Sequence, residues 1–231
     1  MKNNTPNIVF VNQDYNSTVS AALLAEFNLL QQQHAGKKIN IALSGGTTPL
    51  PVLELLSRQN LDWERYNFFM VDERCVPQGD AASNYGNISK SFFDHIPASG
   101  FAMYADDNAD SSIVAYRELI AQHVPKNNGF PVFDLILLGL GDDGHTASLF
   151  PGTSALTENT QTVVHNHVPQ LSANRITLTY PVLLNAAKII VLARGESKVT
   201  IVNELYSGTS PGYPMLKIVN EHKNLQWFLG K

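Results

Sequence analysis

The sequence is short of cysteine and of long apolar runs, and each shortage excludes a class of protein. Cys75 is the only cysteine among 231 residues, so an internal disulfide is impossible and a reducing compartment is the expected setting. No apolar run approaches the roughly 20 residues that a membrane-spanning helix needs. Residues 1–6 lack the apolar core of a signal peptide. The sequence therefore predicts a cytoplasmic protein that does not bind membranes.

Charge is also scarce. Lys and Arg number 16 against 20 Asp and Glu, for a net charge of −4, so the chain has no overall basic field to attract nucleic acid. A small anionic ligand would instead need a few locally placed cations. Hydrophobic residues, by contrast, make up 44% of the chain, which is enough for a sizeable core. The length then favours one domain, 1–231, over two small ones.

Short β-rich runs alternate with helix-like patterns along most of the chain. We expect strands at 8–11, 39–43, 67–71, 133–138, 162–164, 176–179, 188–193 and 225–229. We expect helices at 19–30, from 48 onward, and at 88–93, 113–124 and 196–206. This alternation predicts an α/β fold of three layers, in which helices flank a mostly parallel, twisted, Rossmann-like sheet. Residues 151–180 depart from the simple alternation.

The most informative stretch is 133–152. A continuous apolar run, typical of a strand covered on both faces, leads into the glycine-rich turn 139–144 and then into His145. We expect a short helix to open at His145, which would then lie beyond the carboxyl end of a strand, where open α/β sheets bind ligands. A neutral imidazole beside the Asp143 carboxylate has the chemistry of a general base. The structural alternatives are a helix cap for His145 and a turn role for Asp143.

Other chemistries fit this region less well. The turn matches G-x-G-x-x-G, but no carboxylate follows about 20 residues later to bind the ribose of a dinucleotide. A helical zinc pair would need a ligand four residues after His145, where Leu149 stands. His165 and His167 alternate on a predicted strand and form only part of a metal site. Ser148 lies outside any G-x-S-x-G elbow. We therefore expect no metal and no covalent nucleophile.

The loop after the second predicted strand has the character of an anion site. Ser44, Gly45, Gly46 and Thr47 follow that strand directly and precede a predicted helix. The glycines expose N–H groups, and the positive end of the helix points at the loop. Because the G-K-[ST] ending of a nucleotide P-loop is absent, a monophosphate is the expected ligand.

Two cations also follow predicted strands. Arg74 could bind phosphate through two parallel hydrogen bonds, although a surface ion pair with Glu73 or Asp72 explains it equally well. Lys198 is the second candidate, with an ordinary exposed helix lysine as its alternative. A parallel sheet would bring these cations, the anion loop and His145 to one edge. That convergence predicts a phosphorylated small molecule as the ligand.

At these residues the sequence resembles the 6-phosphogluconolactonase family. The blocks that carry the resemblance follow the family's order, and they are 44–49, 72–77 with 83–85, 139–152, 175–185, 195–198 and 227–228. The most specific block is D-G-H-T-A-S-L-F-P-G at 143–152. Glucosamine-6-phosphate deaminases of the same fold group share a Gly-His turn but typically continue with an isoleucine and an F-N-E-P run. The T-A-S-L-F run found here favours the lactonase.

The resemblance implies a sugar-phosphate isomerase/deaminase-like fold and the hydrolysis of 6-phosphoglucono-1,5-lactone in the oxidative pentose phosphate pathway. It implies no required metal or organic cofactor. In the family the residue matching His145 acts as the base. Arg74 and the loop 44–47 match positions near the substrate, and Arg175 and Lys198 match basic ones.

Several alternatives stay open at this point. An isomerase or deaminase of the same fold group is the main competitor, and a sugar-phosphate sensor or a dehydrogenase is less favoured. Arg194 stands where the family usually has a small polar residue, so its role is undetermined. We expect a monomer or a weak homo-oligomer.

Overall fold

The structure is a computed structural model that describes residues 6–105 and 108–231. Residues 1–5, part of the segment that lacks a signal-peptide core, lie outside the described residues. The strands are β1 (Asn7–Val11), β2 (Ile39–Leu43), β3 (Tyr66–Met70), β4 (Asp72–Arg74), β5 (Ser99–Phe101), β6 (Lys126–Asn127), β7 (Phe130–Pro131), β8 (Leu135–Leu138), β9 (Val163–Val168), β10 (Ala173–Leu178), β11 (Ile189–Arg194) and β12 (Leu225–Gly230). The α-helices are α1 (Tyr15–Gln33), α2 (Pro49–Ser57), α3 (Asn84–Ser91), α4 (Ala109–His123), α5 (Tyr180–Asn185), α6 (Glu196–Ser207) and α7 (Met215–Glu221).

The predicted α/β fold with a mostly parallel sheet is confirmed. Seven strands form the main sheet in the order β1-β12-β11-β8-β2-β3-β5, and every neighbouring pair is parallel. The inner strands β2, β3 and β8 are buried along their whole length. Such strands need cover on both faces, which explains why their residues are apolar except for Asn40 and Asn67, whose side chains hydrogen-bond each other at 3.0 Å.

The strand order reverses beside β8. The strands β2, β3 and β5 follow one another toward one edge, and β8 then returns to the other side of β2, with β11 and β12 beyond it. The connections that follow β2 and β8 therefore diverge, which opens a crevice at the carboxyl ends of these two strands. The loops that begin at Ser44 and Gly139 lie at this crevice.

A second, antiparallel sheet contains much of the region in which the sequence showed no simple alternation. It has the order β4-β10-β9. Val71 joins the two sheets, because its N–H donates to the carbonyl of Leu43 and its own carbonyl accepts from the N–H of Leu178, both at 2.9 Å. The second sheet is thereby fixed to the carboxyl edge of the main sheet, beside the crevice.

The helix predicted at 88–93 is α3, and it begins earlier, at Asn84. The hydroxyl of Ser83 caps it by accepting from the N–H of Gly86 at 3.0 Å, so residues expected in a loop form the first helical turn. The elements β4, β5, β6, β7, α5 and α7 were not predicted. Each is too short for its periodicity to be detected.

An aromatic cluster helps to pack α1 onto the main sheet. The ring of Phe27 in α1 stacks on that of Tyr66 in β3 with centroids 5.2 Å apart. Trp63 meets Phe92 edge-on at 5.4 Å. Among residues 6–105 and 108–231, no helix has the length and apolar character needed to cross a bilayer.

Buried His222 predicts a loss of stability in acid. Its Nε2 donates to the carbonyl of Ala186 at 2.9 Å, and its Nδ1 accepts from the N–H of Asn224 at 3.3 Å. Burial lowers the pKa of His222 below the usual 6.5, so the unfolded chain takes up the proton first. The contribution of the neutral ring is therefore complete above about pH 6.5 and is lost as the pH falls through the folded-state pKa.

We expect His222→Gln to reduce the drop in unfolding free energy between about pH 7 and pH 5, measured by urea denaturation at each pH. The matched control is His165→Gln, which replaces an exposed histidine and should keep the wild-type drop. An identical drop in wild type and His222→Gln would show that His222 does not carry the effect.

Candidate active site

A cavity of about 330 Å³ lies at the carboxyl ends of β2, β8 and β11. The loop 44–47 and His145, both expected at the site, line it, whereas Asp143 is outside the lining. The lining has four basic side chains and two acidic ones, Asp72 and Asp142, and this excess of positive charge on a concave surface suits an anionic ligand. The basic residues that line the cavity are Arg74, Arg175, Arg194 and Lys198.

The glycine-rich turn after β8 holds His145 and Asp143 together. One carboxylate oxygen of Asp143 lies 2.5 Å from Nδ1 of His145 and also accepts from the backbone N–H of His145 at 3.1 Å. A Cβ on Gly141 would lie 2.0 Å from this Nδ1 and 2.8 Å from the Asp143 oxygen. The absence of a side chain at Gly141 is therefore what makes room for the pair.

The short helix expected at His145 does not form, and that prediction is wrong. Residues 146–149 make a tight turn in which Ala147 adopts a left-handed φ of 53°. Side chains of the antiparallel sheet bind the backbone of this turn at Ser148, in place of helical hydrogen bonds. The turn brings Phe150 back against His145, with ring centroids 3.9 Å apart and planes inclined by 23°. A carboxylate and an aromatic ring together restrict the imidazole.

The loop after β2 depends on its two glycines. Gly46 has a φ of +101°, and a Cβ on Gly45 would lie 2.1 Å from Oδ1 of Asn84. Only glycine fits both positions without strain or displacement. The hydroxyl of Ser44 is buried without a hydrogen-bond partner, and α2 begins at Pro49. A buried hydroxyl without a partner in a loop that lines the cavity is consistent with the predicted anion site.

Arg74 and Arg175 face each other across the antiparallel sheet. They are register partners in β4 and β10, and the Nε atoms of both are buried without a hydrogen-bond partner. Burial is the main cause that lowers the pKa of Arg175. The carboxylate of Asp72 lies 4.0 Å from Nη1 of Arg175. It offsets only part of the positive charge of the two arginines. Because like charges directly opposite on a sheet repel, a bound anion would stabilise this pair.

Glu73 does not form the ion pair that was the alternative role for Arg74. Its buried carboxylate instead accepts the backbone N–H groups of Arg74, Asn84 and Tyr85, each at 2.7 Å. These bonds tie β4 to the start of α3. The guanidinium of Arg74 donates to the carbonyl of Ala82. Glu73 therefore fixes the backbone of Arg74 and leaves its charge available to the cavity.

Lys198 is not an ordinary exposed lysine. Its side chain is 15% exposed, and its Nζ lies 2.6 Å from a carboxylate oxygen of Asp142. This hydrogen bond, followed by one from Ser197, lowers the pKa of Asp142. Arg194, whose role the sequence left open, ends β11 at the cavity, with its guanidinium 5.7 Å from the centre of the Tyr15 ring.

Metal-ligand clusters and the environment of Ser148 can be examined in the part of the chain that the structure describes. Residues 6–105 and 108–231 hold no group of three or more His, Cys, Asp or Glu able to bind a metal ion. His165 and His167 are exposed on β9. Ser148 is completely buried, and its hydroxyl donates to Asp72 at 2.5 Å, so it cannot reach a ligand.

Several residues of the site, among them Asp72, Asn84, Asp142 and Phe150, escaped sequence reasoning in this role. Asn84 and Asp72 line the cavity, and Phe150 supports the imidazole of His145. Asn84 and Asp72 lie within the blocks that carry the family resemblance, but within those blocks no local pattern distinguishes a site residue from its neighbours. Phe150 acts through a turn that was predicted to be a helix. The pairing of distant segments places Asp72 and Asn84, whereas Phe150 reaches His145 through the turn 146–149.

A family model described as glucosamine-6-phosphate isomerases/6-phosphogluconolactonase matches residues 12–227. A 6-phosphogluconolactonase of Haemophilus influenzae is 34% identical over 202 residues, which cover 84% of this chain and 85% of the relative. One of Synechocystis is 36% identical over 198 residues, covering 82% and 80%. The solved 6-phosphogluconolactonase of Trypanosoma brucei superposes with a TM-score of 0.85 at 28% identity, covering 98% and 96%. That of Thermotoga maritima gives 0.83 at 28%, covering 97% and 99%.

The contact at Gly141 predicts that Gly141→Ala displaces the imidazole of His145 and lowers the turnover of the site. The new Cβ meets the movable ring and the Asp143 carboxylate, and a misplacement of about 1 Å can cost about 10²-fold in rate. Thermal unfolding should change little, because the nearest atoms belong to side chains that can move. The measurements are kcat and the melting temperature.

The control for the glycine exchange itself is Gly79→Ala, where a Cβ meets nothing within 4 Å. Wild-type turnover in Gly141→Ala would mean that the ring position seen here is not needed for the reaction.

Proposed function

Because the chain belongs to the family of glucosamine-6-phosphate isomerases and 6-phosphogluconolactonases and is a lactone hydrolase of that family, we propose that His145 acts as the general base in opening 6-phosphoglucono-1,5-lactone. The product is 6-phosphogluconate, and the reaction belongs to the pentose phosphate pathway. The observation that carries the mechanism is the His145–Asp143 pair beside a cavity lined by four basic side chains. Neither a metal nor an organic cofactor is needed for this chemistry.

The 6-phosphate binds first and orients the ring. Arg74 and Arg175 contribute charge from the antiparallel sheet, and Lys198 contributes charge from the start of α6. The N–H groups of residues 45–47 complete the site. The unpartnered Nε atoms of both arginines and the free hydroxyl of Ser44 support this assignment, because buried polar groups without partners are costly unless a ligand satisfies them.

His145 takes the proton of the attacking water. The carboxylate of Asp143 accepts a hydrogen bond from Nδ1 of His145. The neutral imidazole therefore carries its proton on Nδ1 and keeps a lone pair on Nε2. The carboxylate then stabilises the imidazolium that forms. This gives Asp143 an orienting role outside the cavity lining, which agrees with its position behind the ring.

The reaction proceeds by attack on C1 and collapse of the tetrahedral intermediate. Water adds to C1 as His145 removes its proton, and the C1–ring-oxygen bond then breaks as the imidazolium returns that proton to the ring oxygen. Donors from the glycine-rich turn or a basic side chain stabilise the oxyanion. One general base supplies roughly 10²–10⁴-fold and one oxyanion donor about 10²–10³-fold more. An activated cyclic ester needs no greater assistance.

The direct test is hydrolysis of freshly generated 6-phosphogluconolactone by the purified protein, corrected for spontaneous opening. Glucosamine 6-phosphate and ribose 5-phosphate serve as substrates for the competing deaminase and isomerase activities. Turnover of either one, without acceleration of lactone opening, would overturn the proposal.

His145→Ala should lower kcat at least about a hundredfold with little change in KM, because the base acts in the transition state and contributes little to ground-state binding. Steady-state kinetics on the lactone measure both constants. His165→Ala removes an exposed histidine of β9 and should match wild type. Near-normal turnover of His145→Ala would rule out its role as the base.

Arg74→Ala should mainly raise KM for the phosphorylated lactone, since a lost charge–phosphate contact weakens ground-state binding. The informative quantity is the ratio of kcat/KM for 6-phosphogluconolactone to that for gluconolactone, which should fall toward unity. Arg58→Ala removes an exposed arginine paired with Glu54 and is the matched control. An unchanged ratio in Arg74→Ala would show that Arg74 does not bind the phosphate.

A further inference from the structure

Ser148 is the most completely bonded residue of the turn that follows His145. It is 0% exposed. Its hydroxyl donates to Oδ2 of Asp72 at 2.5 Å, its N–H donates to Oγ1 of Thr177 at 3.2 Å, and its carbonyl accepts from Nδ2 of Asn166 at 2.8 Å. These partners come one each from β4, β10 and β9. The tip of the turn is thus attached to every strand of the antiparallel sheet.

The turn needs this attachment because its backbone is strained. Ala147, immediately before Ser148, has a φ of 53°, a left-handed conformation that is unfavourable for a residue with a Cβ. Such strain persists only where the surroundings over-determine the backbone. The bonds of Ser148 hold the backbone directly after Ala147, and the chain then continues to Phe150, which stacks on His145. If Ser148 lost these bonds, the ring of Phe150 would therefore no longer be held against the imidazole of His145.

The same sheet carries Arg74 and Arg175. Thr177 is the register partner of Asp72, two positions from the register pair of Arg175 and Arg74. Asp72 also lies 4.0 Å from Nη1 of Arg175. The carboxylate that receives the Ser148 hydroxyl is therefore the one beside the cavity cation, and the bond connects the histidine turn to the arginine pair.

We propose that Ser148 is a positioning residue, which fixes His145 at a set distance from the arginines that hold the substrate phosphate. It does not line the cavity and touches neither the substrate nor the reacting water. The inference rests on the proposed role of His145 as the base. Its consequence is that the hydroxyl of Ser148 contributes to turnover and not to ligand affinity.

Ser148→Ala tests this, with Ser112→Ala as the matched control. Ser112 is also buried, and its hydroxyl donates to the carbonyl of Asn108 at 2.6 Å, at the start of α4. We expect Ser148→Ala to lower kcat about 10- to 100-fold, while KM and the affinity for 6-phosphogluconate, measured by calorimetry, stay within about threefold. Ser112→Ala should lower the melting temperature and leave kcat close to wild type. Equal effects of the two variants on kcat would overturn the proposal.

The double variant separates positioning from general loosening. A residue that acts only through His145 has no further effect once the imidazole is gone. In the His145→Ala background, Ser148→Ala should therefore leave the residual rate within about twofold. A loss as large as that in the wild-type background would show that Ser148 acts independently of His145, with the role of the base still standing. Full activity of His145→Ala alone would instead overturn the proposed mechanism.

Ser148→Cys keeps the proposal testable if the alanine variant does not fold. The exchange replaces only the hydroxyl oxygen by the larger sulfur, and the resulting thiol is a weak donor. We expect a kcat below that of wild type, with product affinity unchanged. A folded Ser148→Cys enzyme with wild-type kcat would contradict the need for a strong hydrogen bond to Asp72.

Discussion

The site depends on the reversal of strand order at β8. Because β2 and β8 are neighbours whose connections leave in opposite directions, their carboxyl ends cannot be closed over by a single crossover. The loop 44–47 and the turn that carries His145 both follow these ends. Their proximity follows from the topology and requires no direct contact between them. The residues of the inner strands are buried and closely packed, which keeps this edge rigid.

The second constraint is the antiparallel sheet mounted on that edge. It contributes the facing arginines to the cavity and holds the histidine turn by buried hydrogen bonds. Such bonds are directional, so they fix geometry in a way that apolar contacts do not. The topology of the main sheet therefore sets the location of the site, and the antiparallel sheet sets the arrangement of the charged groups in the site.

Sequence patterns predicted the elements that have a regular periodicity along the chain. They did not predict the contacts between residues that are distant in sequence. The long helices, the inner strands and the loop 44–47 have local signals, and the structure has them close to the expected bounds. The turn after His145 misled prediction because its conformation is imposed by Asp72, Asn166 and Thr177, which are remote in sequence. Lys198 looked like any helix lysine until its partner Asp142 was located. The single domain, the cytoplasmic location and the oligomeric state stay predictions.

The facing arginines have a consequence for the stability of the folded protein. Two guanidinium groups repel each other in partly buried surroundings, and an anion that neutralised them would bind the folded chain and not the unfolded one. The free energy of unfolding then rises with the concentration of that anion. Inorganic phosphate or sulfate in a storage buffer should act as a preservative and, at the same concentration, as a competitor of the natural ligand.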